Sequence, residues 1–222
     1  MRTPLKARRL PNYTRGQEIA NMVTHIVGGG LGVIILLAAV LLSAFRQNAW
    51  GVVGGSIYGA SLICLYAVSS VYHGLTHVMG KKVMQVIDHC TIYFLIAGTY
   101  TPILLSAIRP ISPIAAWIVF GVEWALTALA VVFTAIDHHR YRVLSMIGYI
   151  GLGWCAIFIL KDTARALGTA GFLWLLAGGI AYTVGAVLYG VGSKKPIFHT
   201  IFHGFVVLGS ILQAVAVLFY AL

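Results

Sequence analysis

His199 and His203 are four residues apart, and so are Ser69 and His73. On an α-helix, residues i and i+4 stack on one face with about 6 Å between their Cβ atoms. Two imidazoles so placed can grip one ion. A third, His73 from a neighbouring helix, would complete a three-His set. Three protein ligands and an open fourth position for water are the arrangement of a catalytic zinc site. Asp88 could stand beside that water as general base or as an outer anchor of the site. Ser69, one turn before His73, could hold the water or a substrate oxygen. Glu18, Asn21 and His25, with Thr24, form a further polar run that could supply second-layer partners.

These groups lie in surroundings that make them costly. Of the 222 residues, 60% are AVILMFWYC and 9% are charged, and the mean hydropathy is +0.93. A water-soluble domain carries about 25% charged residues, so five acids and fifteen bases cannot clothe a globule of this size. The chain is an integral membrane protein. Disorder, a secreted disulfide scaffold and a cytosolic enzyme are excluded. Cys64, Cys90 and Cys155 each sit inside an apolar run without a CxxC pair. They read as small core hydrophobes rather than a disulfide or thiolate set.

A membrane helix needs about 20 apolar residues. The expected fold is all-α, a bundle of seven transmembrane helices over 19–42, 50–75, 84–108, 113–136, 142–161, 170–192 and 198–221. Residues 1–18 form a basic tail and 19–222 a single membrane domain. The tail does not read as a signal peptide, because the apolar run after it is too long. The runs are continuous rather than alternating, which argues against a barrel. Pro102 is expected to kink the third span. The pairs Gly28/Gly32, Gly51/Gly55 and Gly55/Gly59 have the small-xxx-small spacing that lets helices approach.

Lys and Arg in short loops set orientation. Arg2, Lys6, Arg8, Arg9, Arg15, Lys81, Lys82, Arg140, Arg142, Lys194 and Lys195 fall on one side, and Arg46, Arg109, Lys161 and Arg165 on the other. Eleven against four puts the N-terminus in the cytoplasm and the C-terminus outside. The net charge of +10 then needs no nucleic acid; anionic lipid headgroups account for it.

An ionisable group inside a span costs about 2.5 kcal/mol or more on the insertion scale. Depth therefore matters. Spans 1, 3 and 7 begin at the cytoplasmic side and span 2 ends there, so Glu18, Asn21, His25, Ser69, His73, Asp88, His199 and His203 share one level. The other polar residues have plainer readings. His77 belongs to a loop or the headgroup region, and His138 and His139 to a solvated loop. His89 points about 100° from Asp88 and bonds a neighbour. Glu123, near a midplane, is a carboxyl without a task.

On these residues the chain resembles the hemolysin III family, the bacterial branch of the progestin and adiponectin receptor-like membrane proteins, itself similar to the alkaline ceramidases. The matching pieces are Glu18-Ile-Ala-Asn21-Met-Val-Thr24-His25, Ser69-Ser-Val-Tyr-His73, Asp88-His89-Cys-Thr-Ile-Tyr, Gly98-Thr-Tyr-Thr-Pro102 and His199-Thr-Ile-Phe-His203-Gly. The resemblance implies that His73, His199 and His203 bind zinc, that Asp88 contacts the water on it, and that Ser69 lies close by. It also implies an N-terminus inside. The receptor branch has an extended N-terminal region that the short tail here does not match, so hormone reception is not implied.

Two functions are expected to compete. The first is a zinc-dependent hydrolase of a lipid amide or ester in the bacterial plasma membrane, with membrane lipids as partners and a lipid as substrate. The second is non-enzymatic: a channel, a pore or cytolysin, or a regulator of membrane state in which zinc is structural and Asp88 and Glu123 pass protons.

Overall fold

The computed structural model describes residues 3–192 and 195–222. Arg2 and Lys194, counted above for orientation, lie outside the described residues. The chain is helical throughout, with no strand among the described residues. A short 3-10 turn, Leu5–Ala7, precedes seven helices: α1 (Arg15–Phe45), α2 (Ala49–Gly74), α3 (Val78–Pro102), α4 (Pro113–Asp137), α5 (Arg142–Gly153), α6 (Leu160–Gly192) and α7 (Ile197–Ala216).

Local chemistry explains where these begin. Thr14 caps α1 in a reciprocal capping box with Gln17, satisfying amides that have no partner within the helix. Asn48 accepts from the Gly51 amide to start α2. His77, expected in a loop, accepts from the Gly80 amide as the cap of α3. Pro113 occupies the first turn of α4, where its missing N–H is harmless. At Pro102, α3 gives way to a π-helical stretch, Ile103–Ile108. The wider turn is seen where the Arg109 amide reaches back five residues to the Leu104 carbonyl.

Among the described residues, six helical stretches are long and apolar enough to cross a membrane. One of them, Arg142–Gly190, has 49 residues. A straight helix of that length would measure about 74 Å, more than twice the hydrocarbon thickness of ~30 Å. A 3-10 turn at Cys155–Ile159 interrupts it, and Gly168 breaks it with φ 63° and ψ 173°. The loop expected around 162–169 is therefore mostly helix, and the break falls on the glycine that tolerates a left-handed φ.

The molecule is apolar on its outside. Ile34, Val143 and Phe158 are 64%, 72% and 83% exposed, as lipid-facing side chains must be. Cys64 lies on this outer surface, not in the core as expected; Cys90 and Cys155 are buried, and all three are free. Glycines let α1 and α2 touch: a Cβ on Gly28 would fall 2.5 Å from the Tyr66 ring, and one on Gly59 2.5 Å from Leu36 Cβ. Tyr58, Tyr66, Tyr72 and Tyr93 are buried almost completely. The Tyr66 and Tyr182 hydroxyls both pair with Ser210 Oγ at 2.6 Å, so α2, α6 and α7 meet in a hydrogen-bonded knot.

Candidate metal centre

α1, α3 and α7 begin, and α2 ends, at one face of the bundle, here called the N-terminal face. His73 from α2 meets His199 and His203 from α7 there. All three are buried, and one ring nitrogen from each lies within 4.8 Å of the others. The group can hold a metal ion.

Hydrogen bonding indicates which nitrogens. His73 Nδ1 lies 2.7 Å from Glu18 Oε2, so it carries the proton and donates to the carboxylate. That leaves His73 Nε2 as a bare lone pair, buried and without a partner. The Nε2 atoms of His199 and His203 face each other at 3.1 Å. Ligand nitrogens on a tetrahedral zinc, at 2.0–2.1 Å from the ion, stand about 3.3 Å apart. A buried His73 Nε2 with no partner beside two imidazole nitrogens that have only each other fits a borderline divalent cation.

The surroundings orient this triad. Glu18 bridges His73 to Lys81, whose Nζ is 2.7 Å from Glu18 Oε1 and also donates to the His73 and Leu75 carbonyls. Glu18 is thus more than a charge at a helix start: it sets the tautomer of His73. Asn21 is fully buried, with its Nδ2 3.5 Å from His73 Nδ1. His25 stacks on His203 at a centroid separation of 3.8 Å, and neither of its nitrogens has a hydrogen-bond partner. Ser69 is buried, with its side chain beside that of Asp88. His25, Ser69, Asp88 and His203 all line one cavity of about 430 Å³. Its walls along α3 run from Asp88 to Ile103, a rise of about 22 Å, and are almost wholly apolar.

Several residues here carried no signal of their own in the sequence. Tyr13 stacks on His199, with centroids 4.9 Å apart and planes 20° apart. Burial raises its phenol pKa, and Tyr189, Glu18 and Asp88 nearby push the same way. Tyr189 bonds His89 Nε2 at 2.9 Å, while His89 Nδ1 meets the Gln85 carbonyl at 2.7 Å. His89 therefore bonds neighbours, as expected. His138 is not solvated as expected. It is 6% exposed, packed between His89 and His139 and held by Arg8 at 3.3 Å. Burial drops its pKa to about 3, with His89, His139 and Arg8 adding to the fall. Glu123 stands apart from the triad, fully buried, with neither oxygen hydrogen-bonded and the Cys155 thiol beside it.

Fold and site together define a multi-helix membrane protein with a buried three-His centre near one face. Residues 13–214 match the family described as Haemolysin-III related, and the chain belongs to that family. It is 37% identical over 208 residues to the Hemolysin-3 homolog of Bacillus subtilis (strain 168), covering 94% of this chain and 96% of that protein. It is 36% identical over 217 residues to Hemolysin-3 of Bacillus cereus, covering 98% and 97%. The human Monocyte to macrophage differentiation factor is 28% identical over 229 residues, covering all of this chain and 88% of its own. No solved structure matches the chain.

Proposed function

We propose that the protein is a zinc-dependent hydrolase of a lipid amide or ester, working in the bacterial plasma membrane with its N-terminus in the cytoplasm. The non-helical break at Gly168 supports two crossings within 142–190 and so seven in all. The observation that carries the functional reading is the junction of two features. Three buried imidazoles converge beside Ser69 and Asp88, and this polar end opens into an apolar cavity long enough for an acyl chain. A membrane lipid is the substrate class that fits both ends.

His73, His199 and His203 would hold the ion, each through Nε2. Bound zinc supplies a Lewis acid and a water whose pKa falls toward about 7. Asp88 would serve as the base for a water attacking the carbonyl carbon, holding the proton that water gives up. It returns the proton to the leaving nitrogen or oxygen as the amide or ester bond breaks. The products are a carboxylic acid and an amine or alcohol. Ser69 Oγ, beside Asp88, would give its single proton to the developing oxyanion. The apolar walls hold the chain and exclude bulk water.

The test pairs metal analysis with lipid hydrolysis by the purified protein. His199→Ala with His203→Ala should abolish both metal and turnover, whereas Asp88→Asn should keep the metal and abolish turnover. Undiminished metal in the double variant, or full turnover in Asp88→Asn, contradicts the reading. The second reading is a structural metal in a pore-forming or regulatory protein, as the word hemolysin in the relatives' names suggests. Its support is that His73 and the two α7 histidines lie far apart in the chain, so a shared ion would tie α2 to α7. Ion leak from loaded liposomes that survives Asp88→Asn would favour it.

A further inference from the structure

Within the basic tail read from the sequence, residues 3–14 are fastened across the N-terminal face. Arg8 is only 3% exposed, and a guanidinium is rarely buried unless paired. Its Nη2 donates to the Ile136 carbonyl at 2.7 Å and lies 4.0 Å from Asp137 Oδ1. Its Nε donates to the Thr3 carbonyl, and its Nη1 meets His138 Nδ1. Asp137 also accepts from the Thr3 amide at 2.7 Å. Lys82 Nζ donates to the Lys6 carbonyl at 2.6 Å. The segment is thus tied to the end of α4 and the start of α3. Five residues beyond Arg8, Tyr13 lies flat on His199 and tilts over His73 at 5.8 Å.

We propose that residues 3–14 form a strap in which Arg8 and Asp137 are the clasp and Tyr13 is a positioning residue, covering the three-His centre and limiting exchange between it and the aqueous phase. The same stretch ends on Tyr13, whose ring packs on two of the three imidazoles. With His138 kept neutral, its Nδ1 is an acceptor for Arg8, so every group facing the guanidinium there accepts. Tyr13 acts through its ring face, because stacking, not a hydroxyl bond, joins it to His199.

The proposal rests on the metal reading above, and the experiment separates the two. Purified protein in detergent is loaded with zinc, challenged with excess chelator, and the loss of metal followed over time. Tyr13→Ala and Arg8→Ala should start with the wild-type metal content and lose it roughly five- to tenfold faster. Tyr13→Phe, which keeps the ring, should behave as wild type. Loss at the wild-type rate in both alanine variants overturns the strap. A second measurement needs no metal: modification of His199 by diethyl pyrocarbonate in chelator-stripped protein, located by mass spectrometry. It should be faster in Arg8→Ala and Tyr13→Ala, and equal rates overturn the strap. If wild type binds no zinc while this labelling still responds to Arg8, the metal reading alone fails.

Discussion

At the scale of single residues, Glu18 decides what His73 can do. An imidazole alone offers either nitrogen to an ion. With the Glu18 carboxylate on Nδ1 at 2.7 Å, only Nε2 remains, and its basicity rises through the hydrogen bond. Gln in place of Glu18 keeps an acceptor of similar shape but removes the charge and frees Lys81 from its ion pair. Glu18→Gln should weaken zinc binding about tenfold or more, read by competition against a chelator of known affinity. An unchanged affinity would mean that the carboxylate does not orient His73. Glu18 was legible in the sequence as one of a polar run that could supply second-layer partners, but not which ring it would serve. Its role depends on His73, 55 residues away, and helical spacing cannot report a contact between helices.

The elements were legible to different degrees, for physical reasons. Long apolar runs fixed α1 to α4 and α7 because the hydrocarbon demands them. The 142–190 stretch was harder: Lys161, Asp162 and Arg165 read as a loop, yet they lie in the first turns of α6. Charged residues at a bilayer surface are as compatible with an extended helix as with a loop, and the actual break waits for Gly168. The His set and Asp88 were legible because buried polar groups are anomalous in lipid. Tyr13, Tyr189 and Arg8 were not, since an interfacial Tyr or Arg is ordinary there. The small-residue pairs were ambiguous in sequence and are resolved by packing. Gly59→Ala would put a Cβ 2.6 Å from Leu36 Cα, a backbone atom that cannot move aside. It should destabilise the protein by about 1–3 kcal/mol. Gly30→Ala, with nothing within 4 Å, should be neutral or slightly stabilising. Thermal melts of the two variants in one detergent check the contrast, and equal losses would show that α1 and α2 do not pack this closely.

For the molecule as a whole, α7 is fastened to its neighbours at two levels with different chemistry. Deep in the bundle, Ser210 takes the Tyr66 and Tyr182 hydroxyls, and the Tyr58 hydroxyl reaches the Ser210 carbonyl. This joint is made of protein alone. At the N-terminal face, His73 Nε2 has no protein partner and the Nε2 atoms of His199 and His203 pair with each other, so an ion shared by the three would join α2 to α7 there. A ligand that binds only the folded state stabilises it by RT ln(1 + [L]/Kd), about 4 kcal/mol at a thousandfold excess over Kd. Removing zinc should therefore lower the melting temperature by on the order of 10 °C, and His203→Ala should abolish that response. The loss should also be local. Without the ion, hydrogen exchange should rise at the amides of 197–204, while those around Ser210 keep their protection. Uniform exchange along α7 after stripping would mean that the helix is held as one unit. No change at either end would mean that the histidines are joined without a metal.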